Sequence, residues 1–214
     1  MIHHATPQFD FSKLHLSTPA PIQGGSFFSR INVSEVEDSL YIHTPKCGTK
    51  QGIVASGSKK YIDFVFTSAN SNFIDWVDAL ESRLQDLIYE KRSSWFVTDA
   101  LEMDDIENAF IPTMKHKPLG VLMRGYLPQH KQHVVQEVQV YDEYETPVPL
   151  ESIKESSQVI SILDITGIKF NQKCFQLVVH IKQMMVIERP PFSNCMIKLK
   201  ETPKLLEVEI SPDP

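Results

Sequence analysis

At 214 residues, 42% hydrophobic and 22% charged, the chain has the length and composition of a soluble globular protein with a proper core. Its formal net charge of −6 counts against a uniformly basic surface, no apolar run approaches the ~18 residues of a membrane span, and the opening "MIHHATPQFDF" lacks the basic and apolar regions of a secretory signal. The three cysteines, Cys47, Cys174 and Cys195, are odd in number and unpaired in spacing, which argues against a disulfide framework and for a reducing compartment.

Residues 1–25 carry Pro7, Pro19, Pro21 and Gly24-Gly25 without periodicity and read as a flexible arm, draped over a partner or a neighbouring copy. From Ser26 the pattern becomes β-like: "FFSRINV" (27–33), "SLYIHT" (39–44) and "KYIDFVFT" (60–67) are rich in β-branched and aromatic residues. In the last of these, Ile62, Phe64 and Phe66 alternate with Tyr61, Asp63, Val65 and Thr67, giving one apolar face. Apolar positions 73, 76, 77, 80, 84, 87 and 88 then follow the spacing of an amphipathic helix, with Asn70 or Ser71 as N-cap and Trp76, Leu80 and Leu84 facing a sheet. A shorter helix, "MDDIENAF" (103–110), ends before Pro112.

Strand patterns resume in "LGVLMRGYL" (119–127), "HVVQEVQVY" (133–141), "SQVISILDITGIKFN" (157–171) and "KCFQLVVHIKQMMVI" (173–187). The last two are long and joined at Asn171-Gln172, a tight hairpin in which Asn171 tolerates positive φ, and Gly167 marks a bulge or bend in the first. Long, bent strands on a curled sheet predict a small open β-barrel, in an α+β chain that is mostly β, with one long amphipathic helix and a short second helix packed on it. The remainder, 189–214, is a Pro-rich, acidic tail with at most one more strand, "LLEVEI" (205–210).

Charge is distributed in blocks. Residues 61–110 hold three basic and eleven acidic side chains and residues 136–164 hold one and seven, whereas 111–135 hold four and none and 165–200 hold six and one. A fold that gathers 26–60, 111–135 and 165–200 would have a basic face despite its negative total. These segments also interleave rings with cations, as in Phe27, Phe28 and Arg30, or Lys59, Lys60 and Tyr61. Basic side chains that track phosphates beside rings that stack on bases are how single-stranded nucleic acid is held. The phosphate candidates are Arg30, Lys46, Lys50, Lys59, Lys60, Lys115, Lys117, Arg124, Lys169 and Lys173; the stacking candidates are Tyr41, Tyr126, Phe170 and Phe175.

Chemistry of other kinds finds little support. No paired zinc ligands occur; His130 and His133, with His116 and Cys47, are the nearest approach. No nucleophile elbow, metalloprotease, P-loop or dinucleotide motif is present. Glu102, Asp104, Asp105 and Glu107 suggest a two-metal nuclease centre, but four acids around the first turn of a short helix are what dipole complementarity and a solvated face produce. Cys47 beside Lys46 suggests a lowered thiol pKa, but no histidine is placed as its base; Cys174, inside a strand, reads as a small core residue. No catalytic residue, metal or cofactor is expected.

The order "LYIHTPKCGTKQGI" (40–53), "KYIDFVF" (60–66), "NFIDWVDALE" (72–81), Trp95-Phe96, "DIENAFIPTMK" (105–115) and "VQVYDEYETPVPLESIKESSQVISILDITGIKFNQKCFQL" resembles the single-stranded DNA-binding proteins of nucleocytoplasmic large DNA viruses, of poxvirus, asfarvirus and iridovirus type. The likeness covers 26–188 as a single domain. It implies an OB-fold-like barrel that coats single-stranded DNA without sequence preference during viral replication, recombination or repair, in the host cytoplasm (viral factory) or nucleus. Expected partners are single-stranded DNA, further copies of the chain, and replication proteins docking on the acidic tail with Glu207, Glu209 and Asp213; no membrane is involved. The competing expectation is a virion structural or assembly protein whose arm ties copies together.

Overall fold

A computed structural model describes residues 1–34, 39–96, 101–118, 120–128 and 138–187. In chain order its strands are β1 (Ile2–His4), β2 (Leu14–Leu16), β3 (Ala20–Ile22), β4 (Ser26–Val33), β5 (Leu40–His43), β6 (Cys47–Thr49), β7 (Val54–Ser56), β8 (Lys59–Phe66), β9 (Phe110–Ile111), β10 (Met114–Lys117), β11 (Gly120–Tyr126), β12 (Gln139–Tyr141), β13 (Gln158–Phe170) and β14 (Phe175–Val186). Helices α1 (Ser71–Trp95) and α2 (Met103–Ala109) lie between β8 and β9.

The alternation in β8 puts Ile62, Phe64 and Phe66 at 0% exposure, and β11 contributes Met123 to the same interior. Around them β6, β8, β11, β14 and β13 form a ring that returns to β6. Numbered one to five along the chain, the ring strands run 1-2-3-5-4, an OB-fold-like winding. The expected α+β, mostly β class is therefore present, but the barrel is closed rather than open. Closure is thin at two seams: β11 meets β14 through Tyr126↔His180, and β13 reaches β6 through Gln158↔Gly48 and Val159↔Cys47. It is possible because β13, at 13 residues, bends through two register shifts against β14, one of them between Ile165 and Gly167. A Cβ on Gly167 would stand 2.3 Å from the Ser29 carbonyl oxygen, so only glycine lets β4 cross there.

The apolar stripe on α1 is buried at every expected position, from Phe73 to Ile88, and the helix runs on for 25 residues to Trp95. Phe73 stacks on Phe66 at 4.8 Å, so the helix packs against the barrel where β8 ends. Trp76 faces Phe9 and Phe11 of the N-terminal segment, not a sheet. That segment is no free arm: β1 pairs with β5, β2 and β3 pair with β4, and Leu14 is fully buried. Its apolar residues complete the core around α1, a gain that outweighs the lack of periodicity.

Two further expectations change. The β13–β14 turn spans Asn171 to Cys174, and the Asn171 carboxamide oxygen accepts from the Lys173 and Cys174 N–H groups, so the turn is built by side-chain capping instead of positive φ. Cys174 lies in that turn, half-buried, not in a strand. After α2 the chain forms β9 before Pro112, pairing with β14. Of "HVVQEVQVY" only Gln139–Tyr141 is a described strand; His130, His133, Cys195, "LLEVEI" and the acidic tail with Glu207, Glu209 and Asp213 lie outside the described residues.

Candidate nucleic-acid interface

The outer sides of β8 and β11 face away from the barrel as a two-strand ribbon. Their register sets Tyr61 opposite Tyr126, Asp63 opposite Arg124 and Val65 opposite Leu122. β10 extends the ribbon, with Lys115 opposite Leu122 and Lys117 opposite Gly120, so both lysines share the outer side by strand alternation. On the other edge β6 places Gly48 against Val65. The turn that carries Lys46 and Lys50 is held through the lysines' own backbone atoms: Asn70 Nδ2 donates to the Lys46 carbonyl at 3.1 Å, and the Lys50 N–H donates to the Asp63 carbonyl at 2.9 Å. The two lysine side chains are left exposed.

Lys46, Lys50 and Lys117 line a cleft of about 680 Å³ floored by Val65 and Leu122. Lys115, Arg124 and Tyr126 line a smaller one of about 130 Å³ that shares Leu122. The two clefts adjoin at Leu122 and together make the trough along the ribbon. Lys59 lies beside the smaller one, with Nζ 5.4 Å from the centre of the Tyr126 ring. Three segments far apart in sequence, 46–50, 59–61 and 115–126, supply it. Among the described residues, none of Lys46, Lys50, Lys59, Lys115 and Lys117 has an ion-pair partner.

Other candidates are placed elsewhere. Lys60 points to the opposite side of β8 from Lys59 and lines a separate cleft with Leu127, Val140 and Leu150. Lys169 lies between Phe28 and Gln176, one strand beyond the trough, and Arg30 is on β4, opposite Gly167. Lys173 is exposed in the β13–β14 turn. Tyr41 is half-buried on β5, with Lys182 Nζ 6.0 Å from its ring centre. Phe170 and Phe175 offer no face to a base, each being 4% exposed. They belong to an aromatic cluster in which Trp95 stacks on Phe170 at 5.7 Å and 3°, and Phe96 packs edge-on. Strand alternation told inner from outer correctly in β8; here the C-terminal turn of α1 covers rings that periodicity alone left undecided.

The interior of the ribbon is more constrained than sequence suggests. Arg124 donates from Nε and NH2 to the two Asp63 carboxylate oxygens, at 2.7 and 3.0 Å, and its guanidinium carbon sits 3.7 Å from the Tyr61 ring centre. The hydrogen bond to Asp63 holds the arginine pKa above its ordinary value. Neither Asp63 nor Tyr61 is a candidate by residue type; with Asp63 and Arg124 61 positions apart, only strand register reveals their pairing. Beside the seam, the two bulges aim Thr166 and Lys182 outward: Thr166 Oγ1 is 2.8 Å from His180 Nδ1, and Lys182 pairs with Asp164 at 3.2 Å. Burial lowers the His180 pKa, Lys182 and Lys59 add to this, and Asp164 opposes it.

The catalytic alternatives have structural accounts. Asp105 accepts from the Glu102 N–H at 3.0 Å, which caps α2. Cys47 is buried, and burial pushes its thiol up to about 12, the reverse of what a neighbouring lysine suggests. No group of three or more potential metal ligands occurs among the described residues.

In OB-fold barrels the ligand-binding surface, for oligonucleotides in some and oligosaccharides in others, is the face of the second and third strands with the loops joining strands one to two and four to five. Here those strands are β8 and β11, and the loops are 50–58 and 171–174. The fold is similar to that of gp2.5, a single-stranded DNA-binding protein encoded by bacteriophage T7, with a TM-score of 0.51 and 9% identity over 73% of this chain and 90% of that one. A single-stranded DNA-binding protein from bacteriophage Enc34, in complex with ssDNA, aligns at a TM-score of 0.43 and 10% identity over 84% and 98% of the two chains. No family model matches the sequence, and no curated protein matches it.

Proposed function

We propose that this chain binds single-stranded DNA without sequence preference, laying the strand in the trough on the outer face of β8 and β11, and that it acts by binding and not by catalysis. One observation carries the reading: five lysines without ion-pair partners among the described residues converge there from three segments, beside Tyr61 and Tyr126. Lysines track phosphates, rings and planar groups engage bases, and this combination is tolerant of sequence. The fold it shares with T7 gp2.5, itself a single-stranded DNA-binding protein, supports the reading.

The resemblance over 26–188 supports a finer proposal. The protein coats single-stranded DNA during replication, recombination or repair of a large DNA virus, in the viral factory or the nucleus of the host. Self-association and replication proteins docking on the acidic tail belong to the same proposal. The assembly alternative relied on an arm reaching a neighbouring copy, and residues 2–4, 14–16 and 20–22 pair instead with β5 and β4 of their own chain. The test is fluorescence anisotropy with labelled oligo-dT and a duplex of equal length. Binding of oligo-dT in preference to duplex, weakening as salt rises, is expected; no binding at micromolar protein in low salt sinks the proposal.

A further inference from the structure

Within the trough Arg124 differs from the five lysines. Asp63, 9% exposed in its side chain, takes the Nε–NH2 edge of the guanidinium through both carboxylate oxygens, so the pair carries no net charge. Tyr61 backs one face of the guanidinium at 3.7 Å, and Tyr126 meets Tyr61 edge-on at 6.2 Å and 68°. With its edge and one face occupied, the Arg124 side chain is still 45% exposed, and it lines the trough. What remains is a flat, fixed, delocalised plane.

We propose that the Arg124 guanidinium is a stacking platform for a nucleobase, held flat by Asp63 and backed by Tyr61, and is not a phosphate contact. Guanidinium planes stack on bases as aromatic rings do, and a bidentate carboxylate removes the rotational freedom a lone arginine would lose on binding. The arrangement also accounts for an aspartate at the centre of a basic trough: its charge is spent on Arg124. Lysine cannot replace arginine in this role, because an ammonium has no plane. The inference rests on the proposed function and assigns it a base-contacting residue.

The test uses two probes of equal length, oligo-dT and an abasic oligodeoxynucleotide that keeps the phosphates and lacks bases. Arg124→Lys keeps the charge and loses the plane; the double variant Asp63→Asn/Arg124→Gln keeps the net charge and exchanges the delocalised guanidinium for a smaller, neutral carboxamide. Both are expected to bind oligo-dT at least ~5-fold more weakly than the parent, with an unchanged salt slope, and to differ by less than about twofold on the abasic probe. An equal loss on both probes overturns the platform, as does parental affinity of Arg124→Lys for oligo-dT. A salt slope shallower by about 0.7 in the double variant would make Arg124 a phosphate contact instead. If Arg124→Lys does not fold, as judged by thermal melting, the double variant, which retains a hydrogen-bonding pair, decides the matter. Failure of the parent protein to bind oligo-dT would sink the function itself; a platform failure leaves parental binding intact.

Discussion

Replacing Lys46 and Lys50 together by alanine tests the trough most directly. Both side chains are exposed, and the contacts that hold their turn engage only the backbone of Lys46 and Lys50, so the fold should tolerate the change. Each phosphate neutralised on a single strand contributes about −0.7 to the slope of log K against log salt. Five unpaired lysines, with Arg124 left out because Asp63 neutralises it, give a slope near −3.5 by the same rule. Raising salt from about 50 to 200 mM, a fourfold change, then weakens binding ~130-fold. With three lysines left the slope falls to about −2.1 and the same change costs only ~20-fold. Anisotropy titrations of oligo-dT at four or five salt concentrations measure both slopes. A double variant that keeps the parental slope places the phosphates elsewhere and refutes this path.

Two predictions concern residues assigned away from the interface. Phe170→Leu should lower stability by roughly 1 kcal/mol, since the ring packs in the cluster with Trp95, yet leave oligo-dT affinity unchanged; a loss of affinity in a folded variant would restore its stacking role. Because burial raises the Cys47 pKa from 9.0 to about 12, the buried neutral thiol contributes stability fully below pH 9 that is lost as pH rises toward 12. Urea midpoints at pH 8 and pH 10.5 should show a fall that is smaller in Cys47→Ala; an equal fall in both proteins excludes this origin.

Periodicity made the elements legible wherever one face is buried. The alternation in 60–67 and the stripe from Phe73 to Ile88 each appear in the structure as expected, because a single face does all the packing. Gly167 likewise declared its bulge. The short strands β1, β2, β6 and β10 left no periodic trace; at three or four residues they are strands only because a longer neighbour supplies the hydrogen bonds. Of the residues singled out by type, Lys46, Lys50, Lys59, Lys115, Lys117, Arg124 and Tyr126 lie along the ribbon, while strand alternation in β8 separates Lys60 from Lys59. What composition could not convey was pairing across the sheet. Asp63 reads as one outward residue among several until register sets it against Arg124, and Phe170 reads as a free ring until α1 lays Trp95 over it.

The two strands of the ribbon are neighbours in space but not along the chain. Phe66 pairs with Val121, and between them run residues 67–120, 54 in all, including both helices. Closing a loop of that length costs roughly 2 kcal/mol more than closing a four-residue hairpin. The pairing therefore becomes favourable only once α1 has docked and drawn the ends together. Although α1 supplies no lysine or ring to the trough, the proposed binding face should be among the last parts of the protein to assemble, and a change that slows the docking of α1 should delay the onset of the proposed DNA binding during refolding.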